Sequence, residues 1–288
     1  MISKKFLIIG SKGLLGSEIV KYLKKRNFSY STISRKNSNF NLNLKKYKKL
    51  KKFFKKNKFK FVINCAAIIN IDICERNYYE AKIINSYLPK FLSKLSKKYN
   101  FKLIQISTDA FYYSKIFKLN KEKDKLFAIN KYAKTKLAAE NFVTKNKRSL
   151  IIRTNFTGRE YVKNSKRFSD WVYNSIKAKK KMLLFNDMYT STLDVKNCAR
   201  FIVDLTLKES RGIYNLGTRD AISKKQFAVK FSKKIKKKLI FKEINCINNT
   251  ITPRNLNLGM NVSKVEKKLN RKMISSNQAI ANLAKDYL

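Results

Sequence analysis

The sequence predicts an α/β fold, a doubly wound parallel sheet followed by a smaller C-terminal α/β lobe. Short apolar runs alternate with amphipathic stretches over roughly the first half of the 288 residues. Those runs are continuously apolar, as strands must be when helices cover both faces of their sheet. Three of the seven glycines fall at the first strand-to-helix junction, in the run IIGSKGLLGSEIVKYL. Together these features point to a Rossmann-type sheet.

In chain order, FLIIG (6–10), FSYSTIS (28–34), KFVINCAA (60–67), KLIQIST (102–108) and LIIRTN (150–155) read as strands. Helical periodicity spans 14–26, 45–56, 79–98 and 130–146. After residue 155 the pattern loosens. FSDWVYNSIKA and SKKQFAVKFSKKI read as helices, and MLLFND and GIYNLG as strands. No internal repeat and no linker rich in Pro or Gly interrupts the chain. The expected domains are 1–155 with 190–215 for the nucleotide-binding sheet, and 156–189 with 216–288 for the second lobe.

The formal net charge is +49. Charge alone suggests nucleic acid or a membrane surface as partner. The lysines, however, are spread through almost every segment, and Asn, Ile, Phe and Tyr are abundant as well. These residues share A/T-rich codons, so base composition accounts for the bias, and neither a specific nucleic acid nor a membrane is expected. The lysine runs at 45–60, 178–181 and 233–238 read as solvated faces. Some of the charge would still attract an anionic ligand. Histidine is absent. That excludes Ser-His-Asp chemistry, His general bases and His metal sites, and no metal site is expected. Cys65, Cys74, Cys198 and Cys246 lack metal or redox spacing and read as buried small hydrophobes. The N-terminal run holds no apolar stretch long enough for a signal peptide or a membrane span, so a cytoplasmic location is expected.

Gly10, Gly13 and Gly16 form GxxGxxG between a strand and a helix. A dinucleotide site needs a tight turn, close backbone approach to the pyrophosphate and close strand–helix packing, and glycine serves all three. The helix N-terminus then offers free N–H groups and the positive end of its dipole. An acidic residue after the second strand would favour NAD. Here Ser34–Asn37 reads SRKN, and Arg35 and Lys36 suit a 2′-phosphate. The expected cofactor is NADP (NADPH), with NAD left open.

Three further segments carry a resemblance: VINCAA (62–67), ISTDAF (106–111) and YAKTKLAAE (132–140). With GxxGxxG they resemble the extended short-chain dehydrogenase/reductase family, and within it the dTDP-4-dehydrorhamnose reductase group. That group has Ser-Thr-Asp at the fourth strand and a run E-x-D … N-x-Y-G-x-T-K. Here Glu122, Asp124, Asn130, Tyr132, Thr135 and Lys136 stand in that order, with Ala133 in place of the glycine. INIDICE (69–75) is similar to the group's V-D-x-x-E loop, followed by Asn85, and IIRTNFTG (151–158) to its Arg-Thr segment. FNDMYTSTLDVKNCARFI (185–202) departs from it, with Met188, Tyr189 and Ser191 at positions that are usually Gln, Gly and Pro. In TPRNLNLGMNVSKVEKKL (252–269) the usual Arg-Pro order is reversed.

The resemblance implies reduction of a nucleotide-linked 4-keto-6-deoxy sugar, with Thr108, Tyr132 and Lys136 as the catalytic set. Tyr132 would protonate the developing alkoxide. A free phenol titrates near ~10, so it needs help at neutral pH. Lys136 stands one helical turn on, and its ammonium favours the phenolate. Thr108, at a strand's carboxyl end, would hold the carbonyl, with Ser107 an alternative. The implied cofactor contacts are Gly10, Lys12, Gly13, Leu14, Leu15, Gly16, Arg35, Asn41, Leu42, Cys65, Ala66, Ala67, Tyr132 and Lys136. The implied substrate contacts are Ile69, Asp72, Asp109, Asn155, Trp171 and Arg254, the last two in the second, substrate-binding lobe. A homodimer is compatible with the group. Alternatives from the same fold are a sugar-nucleotide epimerase or dehydratase, or a non-catalytic nucleotide-binding regulatory subunit.

Overall fold

A computed structural model describes residues 5–114, 118–160, 165 and 167–288. The chain divides into two compact units. The first comprises Met1–Thr108, Asn130–Arg153 and Ala199–Tyr214, and the second Asp109–Ile129, Thr154–Cys198 and Asn215–Leu288. Residues 109–129, 154–155, 190–198 and 215 thus sit with the second unit, although the sequence suggested the first.

The first unit is built on a seven-stranded sheet. Its leading strands are β1 (Phe6–Ile9), β2 (Tyr30–Ser34), β3 (Phe40–Asn41), β4 (Phe61–Asn64), β5 (Lys102–Ile106) and β6 (Leu150–Thr154). The order is β3-β2-β1-β4-β5-β6 followed by the strand Gly212–Leu216, and β1 to β6 pair in parallel. The chain leaves β1 in one direction, then returns past it to β4. Right-handed crossovers therefore place the helices of the two halves on opposite faces. Strands β1, β4, β5 and β6 are buried along their whole length, as that double cover requires.

The helices α1 (Leu14–Lys25) and α2 (Tyr47–Lys56) follow the expected bounds closely. In α2, Leu50, Phe53 and Phe54 turn inward, while its six lysines are exposed. Helical spacing alone sorts them, and the lysine run is a solvated face. Phe54 stacks on Phe101 at 4.9 Å, inside a core that includes Leu7, Ile9, Val62 and Leu103.

The single helix expected over 79–98 is instead three pieces. INIDICE, expected as a loop, forms α3 (Ile71–Arg76). Then follow α4 (Tyr78–Lys82), a π-turn (Ile83–Tyr87) and α5 (Leu88–Lys98). The π-turn widens the helix where Asn85 and Ser86 leave the outer face for buried polar partners. The helix α6 (Lys131–Val143) carries YAKTK.

The second unit holds three small sheets. Met182–Phe185 pairs in parallel with Phe241–Ile244, Phe156–Thr157 with Leu193–Asp194, and Tyr189–Thr190 lies between Ile222–Ser223 and Asn257–Leu258. Helices Phe168–Lys177, Lys224–Lys234 and Ser276–Ala284 close a core of Val172, Met182, Leu184, Phe231, Ile280 and Leu283. Asn120, fully buried, donates to the carbonyls of Asn257 (3.2 Å) and Gly259 (2.7 Å), which ties the 109–129 segment into this unit. Glu122 of the E-x-D run accepts the Asn215 N–H at 3.0 Å, a structural use. Among the described residues no helix is long and apolar enough to cross a membrane.

Candidate active site in the first unit

The strands β1 and β4 are neighbours, and the sheet's order reverses between them, where ligands of such sheets bind. Gly10 leaves β1 with φ +80°, and a Cβ there would lie 2.9 Å from the Ala66 nitrogen. A Cβ on Gly16 would lie 2.3 Å from the Gly10 carbonyl oxygen, so the first turn of α1 can sit against the strand end only with glycine. Gly13 differs, because its Cβ would reach nothing closer than 3.4 Å, and the residue is exposed. Chain packing does not demand that glycine. An approaching ligand would.

The N-terminus of α1 is correspondingly open. Its N-cap is Gly13, with no side-chain cap and no acid in the first turn. By contrast, side chains of Asn70, Asn130, Ser223 and Ser275 cap the helices they precede. The unfilled cradle at Gly13 and the uncapped helix end fit a pyrophosphate. Past β4, Asn64 is buried and accepts the Ala66 N–H at 3.2 Å while donating to Gln105 at 2.8 Å, which shapes the Cys65–Ala67 turn. Cys65 is half-buried, whereas the other three cysteines are buried; the turn after β4 leaves its side chain short of the core. After β2, Arg35 and Lys36 are exposed, Leu42 N–H returns to the Ser34 carbonyl at 2.9 Å, and Ser34–Leu44 contains no carboxylate. Lys12, Leu14, Leu15, Asn41 and Leu42 stand on these same two turns.

Helix α6 is positioned from several sides. Asn130 caps it by accepting the Ala133 N–H at 2.9 Å. Glu75, at the end of α3, accepts the Lys131 N–H at 2.7 Å, and the Lys131 ammonium donates to the Glu75 carbonyl at 2.8 Å. Thr135 is clamped by the π-turn. Its hydroxyl accepts from Asn85 at 3.1 Å and its carbonyl accepts from Ser86 at 2.8 Å. Asn85 also brackets the backbone of Ile68, at 2.8 and 2.9 Å. Glu75, Ser86 and Thr135 therefore set the helix that presents Tyr132, a role for which only Glu75 and Thr135 left a trace in the motif.

Lys136 lies on the same face of α6 as Tyr132, one turn later, and is only 3% exposed. Its Nζ donates to the Ile106 carbonyl at 2.7 Å. That bond docks α6 against the end of β5, two residues before Thr108. Burial lowers the Lys136 pKa to about 8, against the opposing charges of Glu140 and Cys65. Glu140, one turn further, is itself held by Arg153 through contacts of 3.1, 3.1 and 2.7 Å, with both side chains buried. Thr108 is buried, and Ser107 beside it has a buried hydroxyl without a hydrogen-bond partner among the described residues.

The candidate substrate residues divide. Ile69 and Asp72 are exposed in the first unit. Asp109, Asn155, Trp171 and Arg254 belong to the second. There Asn155 donates to the buried Asp109 carboxylate at 2.8 Å and accepts from Thr192 at 3.0 Å. Trp171, 38% exposed, stacks on Phe168 at 5.8 Å.

An open glycine cradle after β1 and a Tyr–Lys helix docked on the end of β5 place the molecule among the extended short-chain dehydrogenases/reductases. Residues 4–288 match the family model described as the RmlD substrate binding domain, and the chain belongs to that family. A curated relative, the spore coat polysaccharide biosynthesis protein SpsK of Bacillus subtilis, is 24% identical over 78% of this chain and 77% of its own. Among solved structures, a hypothetical dTDP-4-dehydrorhamnose reductase from Sulfolobus tokodaii is 26% identical, with TM-score 0.83 over 94% of this chain and 97% of that one. A dTDP-4-dehydrorhamnose reductase from Bacillus anthracis, solved in complex with NADP, has TM-score 0.88 at 19% identity over 98% of both chains.

Proposed function

We propose that the protein is an NADPH-dependent reductase of a nucleotide-linked 4-keto-6-deoxy sugar. The observation that carries this is the docking of α6, where the buried Lys136, one helical turn after Tyr132, donates to the Ile106 carbonyl two residues before Thr108. The family and the names of the similar reductases support the substrate class.

The loop Gly10–Gly16 and the start of α1 would hold the pyrophosphate, and Arg35 and Lys36 the 2′-phosphate. When bound, the reduced nicotinamide supplies the hydride. The chain's own residues manage the proton. The Thr108 hydroxyl holds the carbonyl oxygen, and the Tyr132 hydroxyl gives that oxygen its proton as the carbon receives hydride. The positive charge of Lys136 stabilises the phenolate left behind. With a pKa of about 8, Lys136 is mostly charged at neutral pH. Its hydrogen-bond partner Ile106 is a neutral carbonyl, and the Glu140 carboxylate one turn on is already paired with Arg153.

The test is turnover of a panel of nucleotide 4-ketosugars with NADPH and with NADH, followed by loss of reduced-nicotinamide absorbance. Oxidation of NADPH with at least one 4-ketosugar is expected. No turnover with any of them would sink the proposal.

A further inference from the structure

We infer that Thr190, Thr192 and Asn155 form a one-way hydrogen-bond relay from the Lys224 ammonium to the Asp109 carboxylate, and that this relay positions Thr108, the residue that precedes Asp109. The inference rests on the reductase reading for what Thr108 does.

All the links lie within the second unit. Asn155 Nδ2 donates to the Asp109 carboxylate at 2.8 Å, and Thr192 Oγ1 donates to Asn155 Oδ1 at 3.0 Å. The Thr190 and Thr192 hydroxyls stand 2.9 Å apart. Lys224 Nζ reaches the Thr190 hydroxyl at 3.4 Å, the longest link. Asp109, Thr190 and Thr192 are buried. Backbone pairing holds the members in line. Thr190 pairs with Ile222, two residues before Lys224, and the Lys224 N–H donates to the Met188 carbonyl at 3.1 Å. The Leu193 N–H donates to the Asn155 carbonyl at 3.0 Å, which keeps Thr192 beside Asn155. The far end is fixed as well. The Tyr112 N–H donates to the Asp109 carbonyl at 2.9 Å, and Asn255 donates to the Ala110 carbonyl at 3.2 Å.

Chemistry forces one direction on the chain. An ionised carboxylate only accepts, so Asn155 must turn its NH2 toward Asp109 and its carbonyl toward Thr192. A hydroxyl has one proton, and Thr192 gives its proton to that carbonyl. Toward Thr190 it therefore accepts. Thr190 in turn has given its proton to Thr192 and can only accept from the ammonium. Every donor points from cation to anion, and hydrogen bonds aligned in this way polarise one another. An amide is a poor proton carrier, so the chain transmits orientation and field instead of conducting protons. Breaking a link leaves polar groups unsatisfied on both sides of the gap. The relay thus fixes the Asp109 carboxylate, and one peptide bond joins Asp109 to the Thr108 whose hydroxyl holds the carbonyl oxygen. Asp109 and Asn155, implied by the resemblance as substrate contacts, act here as positioning residues.

The experiment uses the full chain and two readouts. The first is the side-chain amide signal of Asn155 in 15N NMR, followed as Lys224 titrates at about 8. In the wild type that signal should move with Lys224, the head of the chain. The other charges acting on Lys224 are those of Asp109 and Arg254. Thr192→Val keeps both and cuts the relay, so the movement should vanish there and return in Thr192→Ser. The second readout is 4-ketosugar turnover. Thr192→Val should lower kcat about 10-fold, with KM and NADP+ affinity close to wild type, and Thr192→Ser should restore it. Thr190→Val, which cuts the chain one link earlier, carries both measurements should Thr192→Val fail to fold. An Asn155 signal that stays still in the wild type, or that keeps its movement in the Val variants, overturns the relay. Unchanged kcat in Thr192→Val overturns the positioning role. So does a kcat loss that Thr192→Ser shares, because the cause is then packing. Absence of turnover with any ketosugar sinks the reductase reading, and the Asn155 signal still decides the relay.

Discussion

Two lysines in this chain are drawn down to about 8 by the same cause, loss of water around the ammonium, yet their surroundings differ. Lys136, in the first unit, is enclosed and finds a carbonyl at 2.7 Å. Lys224, in the second, has a ring face, a hydroxyl at 3.4 Å, and the opposing influences of the Asp109 and Arg254 charges. The first has a partner that fixes its position, so it can act on what stands beside it. The second is held through its backbone, with only long contacts at its ammonium. Desolvation by itself therefore says that a lysine is unusual. Its partners say in which way.

The sharpest break between the two would come from Tyr132→Phe. Removing the proton donor should lower turnover by about 10²- to 10⁴-fold, with NADP+ affinity retained in fluorescence titration. Full activity in that variant would end the proton-donor assignment. Arg153→Met probes what supports Lys136 from behind. It leaves the buried Glu140 carboxylate unpaired, and a loss of about 3–5 kcal/mol is expected in urea unfolding. Little change would mean that Glu140 is re-solvated easily.

The pH profile probes Lys136 directly. Lys136 is protonated below about 8 and neutral above it, so kcat should be flat toward neutral pH and decline as pH rises through that value. A profile that keeps climbing past it would show that the ammonium is not needed. The smallest effect belongs to Asn130→Ala, which removes the cap of α6 and should lower stability by about 1 kcal/mol in thermal unfolding.

Much of the first unit was legible because its signals are local. Mostly apolar runs mark β1, β4, β5 and β6, the run FSYSTIS marks β2, and glycine spacing marks the turn that follows β1. The Tyr132–Lys136 interval is also local, being one turn of one helix. What escaped depends on contacts across long chain separations. Glu75 meets Lys131 fifty-six residues away, and Asn85 meets Thr135 fifty away. Nothing in the sequence near Glu75 announces a helix to be held. Lys224 is hidden differently. It stands first in a Lys-Lys pair within a chain that has 67 lysines and arginines, so its type carries almost no information. The one available signal was Ser223 with Gln226 three residues on, which places Lys224 at the start of a helix but does not reveal what surrounds its ammonium.

The π-turn at Ile83–Tyr87 makes the site depend on a count. A helix advances about 100° per residue. Remove one residue between 83 and 87 and the wide turn could close into ordinary α-helix, but Asn85 and Ser86 would swing away from Ile68 and Thr135. Such a deletion would change no residue of the Tyr–Lys pair or of the glycine loop. It would still free the loop after β4 and the helix that carries Tyr132. In this stretch of chain, length is as much a part of the machinery as any side chain.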